Sequence, residues 1–234
     1  MTEALQVLVV VPAWNEEASI ADVVHEITRT LPEVDVLVVD DGSTDQTAAL
    51  AAQAGALVAR LPYNLGVGGA MRLGFRYAVE CGYDTVVQID ADGQHDPSFV
   101  PQLLERITAG ADLVIGARFA GVGEYRSRGP RRWAMTVLSK VLSHLAGTRL
   151  TDTTSGMRAC SRPLVELFAR HYPVEYLGDT VETLAMAARR GFRIEQVPVA
   201  MRVRTAGKPS HAFGMATVYL GRALVVLVLA LIRR

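Results

Sequence analysis

Apolar and polar positions follow two rhythms along the first half of the chain. Short apolar runs at 5–11, 34–39, 56–59, 85–89 and 112–115 are rich in valine, leucine and isoleucine, as expected of strands buried on both faces. Between them lie stretches with helical spacing, at 16–30, 44–54, 71–80 and 99–107. In the first of these, Ile20, Val23, Val24 and Ile27 fall on one face. Strands separated by helices of this length predict an α/β fold, with a mostly parallel sheet covered by helices on both sides. The rhythm changes in the second half. Residues 121–132 are glycine- and arginine-rich and read as a mobile loop, 133–145 as an amphipathic helix, and 151–158 as a polar, turn-rich segment. A further helix is expected at 180–190 and a strand at 192–199. No repeat divides the chain, and the second half reads as the other wall of a cleft rather than an independent domain.

The predicted strands at 5–11, 34–39 and 85–89 each end in a polar cluster, and ligands of open α/β sheets collect beyond such ends. The most informative is Asp90-Ala91-Asp92-Gly93-Gln94-His95, directly after an apolar run. Two carboxylates at this spacing repel each other unless a cation joins them. Hard oxygen donors suit Mg²⁺ or Mn²⁺, shared with substrate phosphates. The bland alternative is a solvated turn with two surface aspartates. Pro12-Ala13-Trp14-Asn15-Glu16-Glu17 follows the first strand, where Asn15 or Glu16 can cap the next helix. Asp40-Asp41-Gly42-Ser43-Thr44-Asp45 follows the second, with Ser43 or Asp45 as a cap and Asp41 able to accept from a base N–H. Asn64-Leu65-Gly66-Val67-Gly68-Gly69-Ala70 resembles a phosphate-cradling loop. It lacks the lysine of a P-loop and does not follow the first strand, which disfavours a dinucleotide fingerprint.

Composition narrows the class. Half of the 234 residues are hydrophobic, which is globular rather than disordered. Lysine plus arginine and aspartate plus glutamate number 24 each, so global charge argues against a nucleic-acid partner. Cys81 and Cys160 are isolated and read as reduced core residues. The apolar run at 7–11 has no basic residues before it and ends in Pro12, unlike a signal peptide. A cytoplasmic location is expected.

Taken in order, P-A-W-N-E-E, D-D-G-S-T-D, N-L-G-V-G-G-A and D-A-D-G-Q-H resemble the family 2 glycosyltransferases of the GT-A fold. The likeness is strong over about 5–120 and continues through Gly116-Ala117-Arg118, Ser155-Gly156-Met157-Arg158 and 204–210. Within the family the chain is most similar to dolichyl-phosphate mannose synthases and bacterial polyprenyl-phosphate sugar transferases. The resemblance implies a Rossmann-like GT-A sheet, a donor half over about 1–118 and an acceptor half over about 119–212. It also implies a UDP- or GDP-sugar donor and a Mg²⁺ or Mn²⁺ cofactor. Pro12, Trp14 and Glu16 would then line the nucleoside pocket, with Trp14 where tyrosine is usual. Val39 and Asp41 would contact the base, and Asp90, beside Ala91, the ribose or a metal-bound water. Asp92 and Gln94 would hold the cation, with Asp90 as a further candidate; His95 is more often structural. Arg118 would stand beside the pyrophosphate and carry catalytic weight with Asp92.

Arginines 126, 128, 131 and 132 read either as a solvated basic loop or as a lid over anionic substrates. Arg204 and Lys208 match a phosphate-contacting stretch of relatives in which Pro209 here replaces a serine. Asp179 and Glu182 open a helix near the expected acceptor, although acids there also suit the helix dipole. Residues 213–232 are almost wholly apolar apart from Thr217 and Arg222. As a helix they would span about 30 Å, but burying Arg222 would cost roughly 2.5–3.5 kcal/mol. Arg233 and Arg234 also stand against the positive-inside bias. A helix lying in the membrane interface, or docked on a membrane partner or a second copy, is therefore expected at 213–234, with core packing as the alternative.

The resulting expectation is an inverting, metal-dependent transfer from a nucleoside-diphosphate sugar to a polyprenyl phosphate at the inner face of the membrane. A sugar-hydroxyl acceptor is the competing reading and would need Glu182 or Asp179 as a base. A nucleotidyltransferase would want a glycine-rich basic loop where Pro12-Ala13-Trp14 stands, and a non-catalytic scaffold would not need both Asp90 and Asp92.

Overall fold

The computed structural model describes residues 5–118, 139–173 and 179–202. Chain order runs β1 (Val7–Ala13), α1 (Ile20–Thr30), β2 (Asp35–Asp40), α2 (Thr47–Gln53), β3 (Leu57–Arg60), α3 (Val67–Cys81) and β4 (Thr85–Gln88). It continues through α4 (Val100–Thr108) and β5 (Leu113–Ala117) to a helix described over 139–146, here α5. Then come β6 (Arg158–Ser161), α6 (Arg162–His171), α7 (Asp179–Arg189) and β7 (Ile194–Pro198).

The strands form one sheet in the order β3-β2-β1-β4-β6-β5-β7. Its two faces follow from alternation along β1. Val7, Val9 and Val11 join Ile20, Val24 and Ile27 of α1 and Leu103 of α4 on one side. Leu8 and Val10 join Met71 and Phe75 of α3 and Phe168 of α6 on the other. Fully burying an apolar side chain of this size contributes roughly 1.5–3 kcal/mol, so the continuous apolar runs favour a covered sheet. On the second face Phe75, Phe168 and Tyr172 pack with ring centroids 5.2–5.3 Å apart. Helix α3 lies so close to β1 that a Cβ at Gly74 would fall 2.5 Å from Val10 Cγ1.

The sheet is mostly parallel, as expected, with one antiparallel strand that the sequence pattern did not announce. Pairs β1–β2, β1–β4, β2–β3 and β5–β7 are parallel, but β6 lies antiparallel between β4 and β5. Polar residues 151–158 masked the start of this strand, and the sequence pattern assigned no element to α6. Boundaries also shift. Helix α1 starts at Ile20 rather than 16; residues 17–19 form a turn, and the N–H groups of Glu16 and Glu17 bond to Thr47 and Asp45. Helix α3 starts four residues earlier than expected, at Val67. The arginine-rich loop, the first part of the 133–145 helix and the apolar stretch 213–232 lie outside the described residues. Among the described residues no helix is long and apolar enough to cross a membrane.

Candidate active site

Strands β1, β2 and β4 run parallel, so the loops at their carboxyl ends meet on one edge of the sheet. Short polar side chains lock these loops together. Asn15 takes a left-handed backbone (φ 53°), which turns its N–H onto Ser43 Oγ at 2.9 Å and its Oδ1 toward Thr44 N at 2.9 Å. Glu16 N–H donates to Thr47 Oγ1, and Glu17 Oε2 accepts from Gln46 N–H. Asn15 and Glu16 are therefore not helix caps; they clasp the first loop to the second. Asp45 receives the Thr47 N–H and so serves the start of α2.

The glycine loop is held by the same logic. Asp41 Oδ1 and Oδ2 accept the N–H groups of Leu65 and Gly66, both at 2.7 Å. Burial raises the Asp41 carboxyl above its ordinary value, against the pull of these two donors. Gly42 is required where the loops touch: its φ is 71°, and a Cβ would lie 2.6 Å from the Tyr63 carbonyl carbon.

These loops enclose a cleft of about 200 Å³. Of the expected nucleoside-side residues, Pro12, Trp14, Glu16, Asp41, Asp90, Ala91 and Asp92 all line it. Val39 does not; it has no exposed surface and belongs to the core beside α3. Asn64, Val67 and Ala70 line the cleft as well. The glycine-rich pattern marked their loop, but only the Asp41 contacts bring it to the site.

The acidic loop has its own scaffold. Ser19 Oγ donates to the Ala91 carbonyl at 2.8 Å, tying it to the first loop. Asp92 Oδ1 accepts Gln94 N–H at 3.0 Å. Gln94 Nε2 donates to the Arg202 carbonyl at 3.3 Å, which leaves the amide oxygen as the group offered elsewhere. Arg202 is pinned by Glu26 and Asp96 at 2.8 and 2.7 Å.

The turn that meets Asp90 through Gly156 is held by arginines. Arg118 follows β5 and grips the fully buried Asp152 through Nε at 2.6 Å and Nη2 at 3.0 Å, and reaches Thr154 Oγ1 at 2.7 Å. Burial alone would raise the Asp152 carboxyl, yet the hydrogen bonds and charge of Arg118, with Thr154 N–H, hold it below its ordinary value. Arg118 is thus bound in a bidentate pair and is not among the residues lining the cleft. Buried Arg158 donates to the Ser155 and Thr153 carbonyls, and across to the Thr180 carbonyl and Thr183 hydroxyl of α7. It thereby joins this turn to the helix that carries Asp179 and half-buried Glu182. Asp152 had no distinguishing signal in its hydroxyl-rich stretch.

A family model described as glycosyl transferase family 2 matches residues 8–168, spanning the cleft, the acidic loop and β6. The chain belongs to glycosyl transferase family 2. This glycosyltransferase is 34% identical over 221 residues to the undecaprenyl-phosphate mannosyltransferase of Micrococcus luteus, covering 90% of this chain and 89% of that one. It is 32% identical over 209 residues to the polyprenol monophosphomannose synthase of Mycolicibacterium smegmatis, covering 86% and 78%. Among solved structures it resembles the Mycobacterium tuberculosis glucosyl-3-phosphoglycerate synthase in complex with Mn²⁺, UDP-glucose and phosphoglyceric acid. There the TM-score is 0.73 at 26% identity, over 97% of this chain and 80% of that one. The enzyme is accordingly a GT-A glycosyltransferase that uses a nucleoside-diphosphate sugar.

The donor set fits a divalent cation of the kind in that solved relative. Asp90 and Asp92 line the cleft and Gln94 follows two residues later in the same short loop, so three hard oxygen donors lie close in sequence, while no group of three acidic, histidine or cysteine ligands occurs among the described residues. A cation whose shell is completed by substrate phosphates needs no protein cage. Arg204 and Lys208, the remaining expected phosphate ligands, lie outside the described residues.

Proposed function

We propose that this glycosyltransferase moves a sugar, with inversion, from a UDP- or GDP-sugar to a polyprenyl (dolichyl-type) phosphate at the inner face of the cytoplasmic membrane. The observation that carries the donor half is the convergence of Trp14, Glu16, Asp41, Asp90 and Asp92 on one cleft at the ends of three parallel strands. The acceptor half is supported by the lipid-phosphate substrates named for the Micrococcus and Mycolicibacterium relatives.

In this reading Trp14 and Pro12 flank the base, Asp41 stands at its edge, Glu16 shares the pocket and Asp90 with Ala91 meets the ribose. Asp92 and Gln94 would hold Mg²⁺ or Mn²⁺, with Asp90 beside them, and the cation when bound neutralises the leaving diphosphate. Arg204 and Lys208 would add positive charge on the diphosphate or acceptor-phosphate side, while Arg118, paired with Asp152, would hold the neighbouring turn in place. A phosphate-monoester acceptor is anionic at neutral pH and needs no base, so in this reading Asp179 and Glu182 have no proton to remove. The apolar 213–232 stretch would lie in the membrane interface, or dock on a membrane partner or second copy, with Arg222 reaching lipid phosphates.

A second reading is favoured by the phosphoglyceric acid bound in the solved relative. There the acceptor would be a small soluble phosphorylated acid, and Glu182 or Asp179 would serve as base if a hydroxyl attacks. Labelled UDP- and GDP-sugars, offered with Mn²⁺ or EDTA to polyprenyl phosphate and to 3-phosphoglycerate, separate the two. Metal-dependent glycolipid formation that is abolished by Asp92→Ala is the expected result. Preferential transfer to the soluble acid, stopped by Glu182→Gln, would falsify the lipid-phosphate assignment.

A further inference from the structure

Asp90 is gripped from several directions at once. Its main-chain N–H donates to His95 Nδ1 at 3.0 Å. Its Oδ1 accepts from Gln88 Nε2 at 3.2 Å. Gly156 backs the carboxylate so closely that a Cβ there would lie 2.5 Å from Oδ2. Of these three partners only His95 holds the backbone and faces the side chain together. With Nδ1 accepting, the neutral ring carries its proton on Nε2, and Nε2 stands 3.7 Å from Asp90 Oδ2. That separation exceeds a hydrogen bond, so the ring acts on the carboxylate as an oriented dipole and on the backbone as a true acceptor.

His95 is itself held in place. It is 3% exposed, and it pairs antiparallel with Met201 through an isolated backbone bridge. The imidazole therefore has one orientation to offer, and it spans the turn from Asp90 to His95 that carries Asp92 and Gln94.

We infer that His95 is a positioning residue for donor binding: through Nδ1 it closes the 90–95 turn on the Asp90 N–H and so presents Asp90 and Asp92 to the nucleotide sugar and its cation. This rests on the donor reading above. The chemistry makes a sharp distinction between two conservative variants. Asparagine places an amide oxygen near the position of Nδ1, and glutamine places its terminal amide near Nε2. His95→Asn keeps the acceptor for Asp90 N–H; His95→Gln loses it while keeping a polar group beside Oδ2.

The test uses amide hydrogen exchange at Asp90 in the ligand-free protein, together with calorimetric binding of UDP and GDP in the presence of Mn²⁺. His95→Ala and His95→Gln are expected to exchange Asp90 N–H roughly tenfold faster than wild type, and His95→Asn within a factor of about two. Nucleotide affinity should fall in the same order, by roughly tenfold in the first two variants. Thermal melts identify any variant that unfolds, and the asparagine–glutamine contrast decides between folded ones. Unchanged exchange in His95→Ala, or better recovery by glutamine than by asparagine, overturns the inference. Wild type that binds neither nucleotide overturns the donor reading instead, and the exchange measurement still decides the role of His95.

Discussion

The cleft and the arginine-bound turn beside it are held together by different chemistry. Around the cleft, loops after β1, β2 and β3 are joined by short side chains bonding to neighbouring backbone: Asn15 to Thr44, Ser43 to Asn15, Asp41 to Leu65 and Gly66. At the turn, long guanidinium groups reach across the chain, Arg118 to Asp152 and Arg158 to the start of α7. Short polar residues fix backbone to within one contact and make a rigid seat, each bond being worth about 1 kcal/mol net. Arginines connect elements that differ in distance and direction, and their loss leaves several buried acceptors unmet at once. The cleft loops should therefore yield piecemeal, and the arginine-bound turn as a unit.

The strongest way to break this contrast is Arg158→Met. It removes the donor for the Ser155, Thr153 and Thr180 carbonyls together, and the expected loss is about 3 kcal/mol of stability, read from the urea midpoint. A shift equivalent to less than about 0.5 kcal/mol would mean that the turn does not depend on the arginine. On the donor side, Asp41→Asn replaces one accepting oxygen by an amide that opposes an N–H of the glycine loop. A loss of about 2 kcal/mol is expected, with weaker nucleotide binding; full stability with full affinity would show that the loop holds itself.

The smallest effect is one of pH. The Asp152 carboxyl lies below its ordinary value of 3.8 in the folded protein, so the unfolded chain takes up its proton first. The stability this adds is present above pH 3.8 and is lost as pH falls through the folded value. Asp152→Asn should flatten that acid limb of the urea midpoint, whatever its offset at neutral pH. An acid limb as steep as that of wild type would assign the pH dependence to other carboxylates.

Much of the lining of the cleft was legible in the sequence. Pro12, Trp14, Glu16, Asp41, Asp90 and Asp92 all stand beyond apolar runs in the sequence, and all six line the cleft. Val39 differs from these six, because alternation along β2 turns its side chain into the core and leaves only its backbone near the strand end. Asp152 and the role of Arg158 were hidden, since both depend on β6 entering antiparallel between β4 and β5.

The sequence by itself determined what periodicity and local chemistry can specify: the covered sheet, the strand ends, the acidic pair and the family. Tertiary structure alone decided that Asn15 clasps rather than caps, that Arg118 is committed to Asp152 and that Gly156 lies against Asp90. The reason is physical. A strand or loop motif is set by neighbours a few residues away, whereas these partners are separated by 29, 34 and more positions and meet only through sheet order.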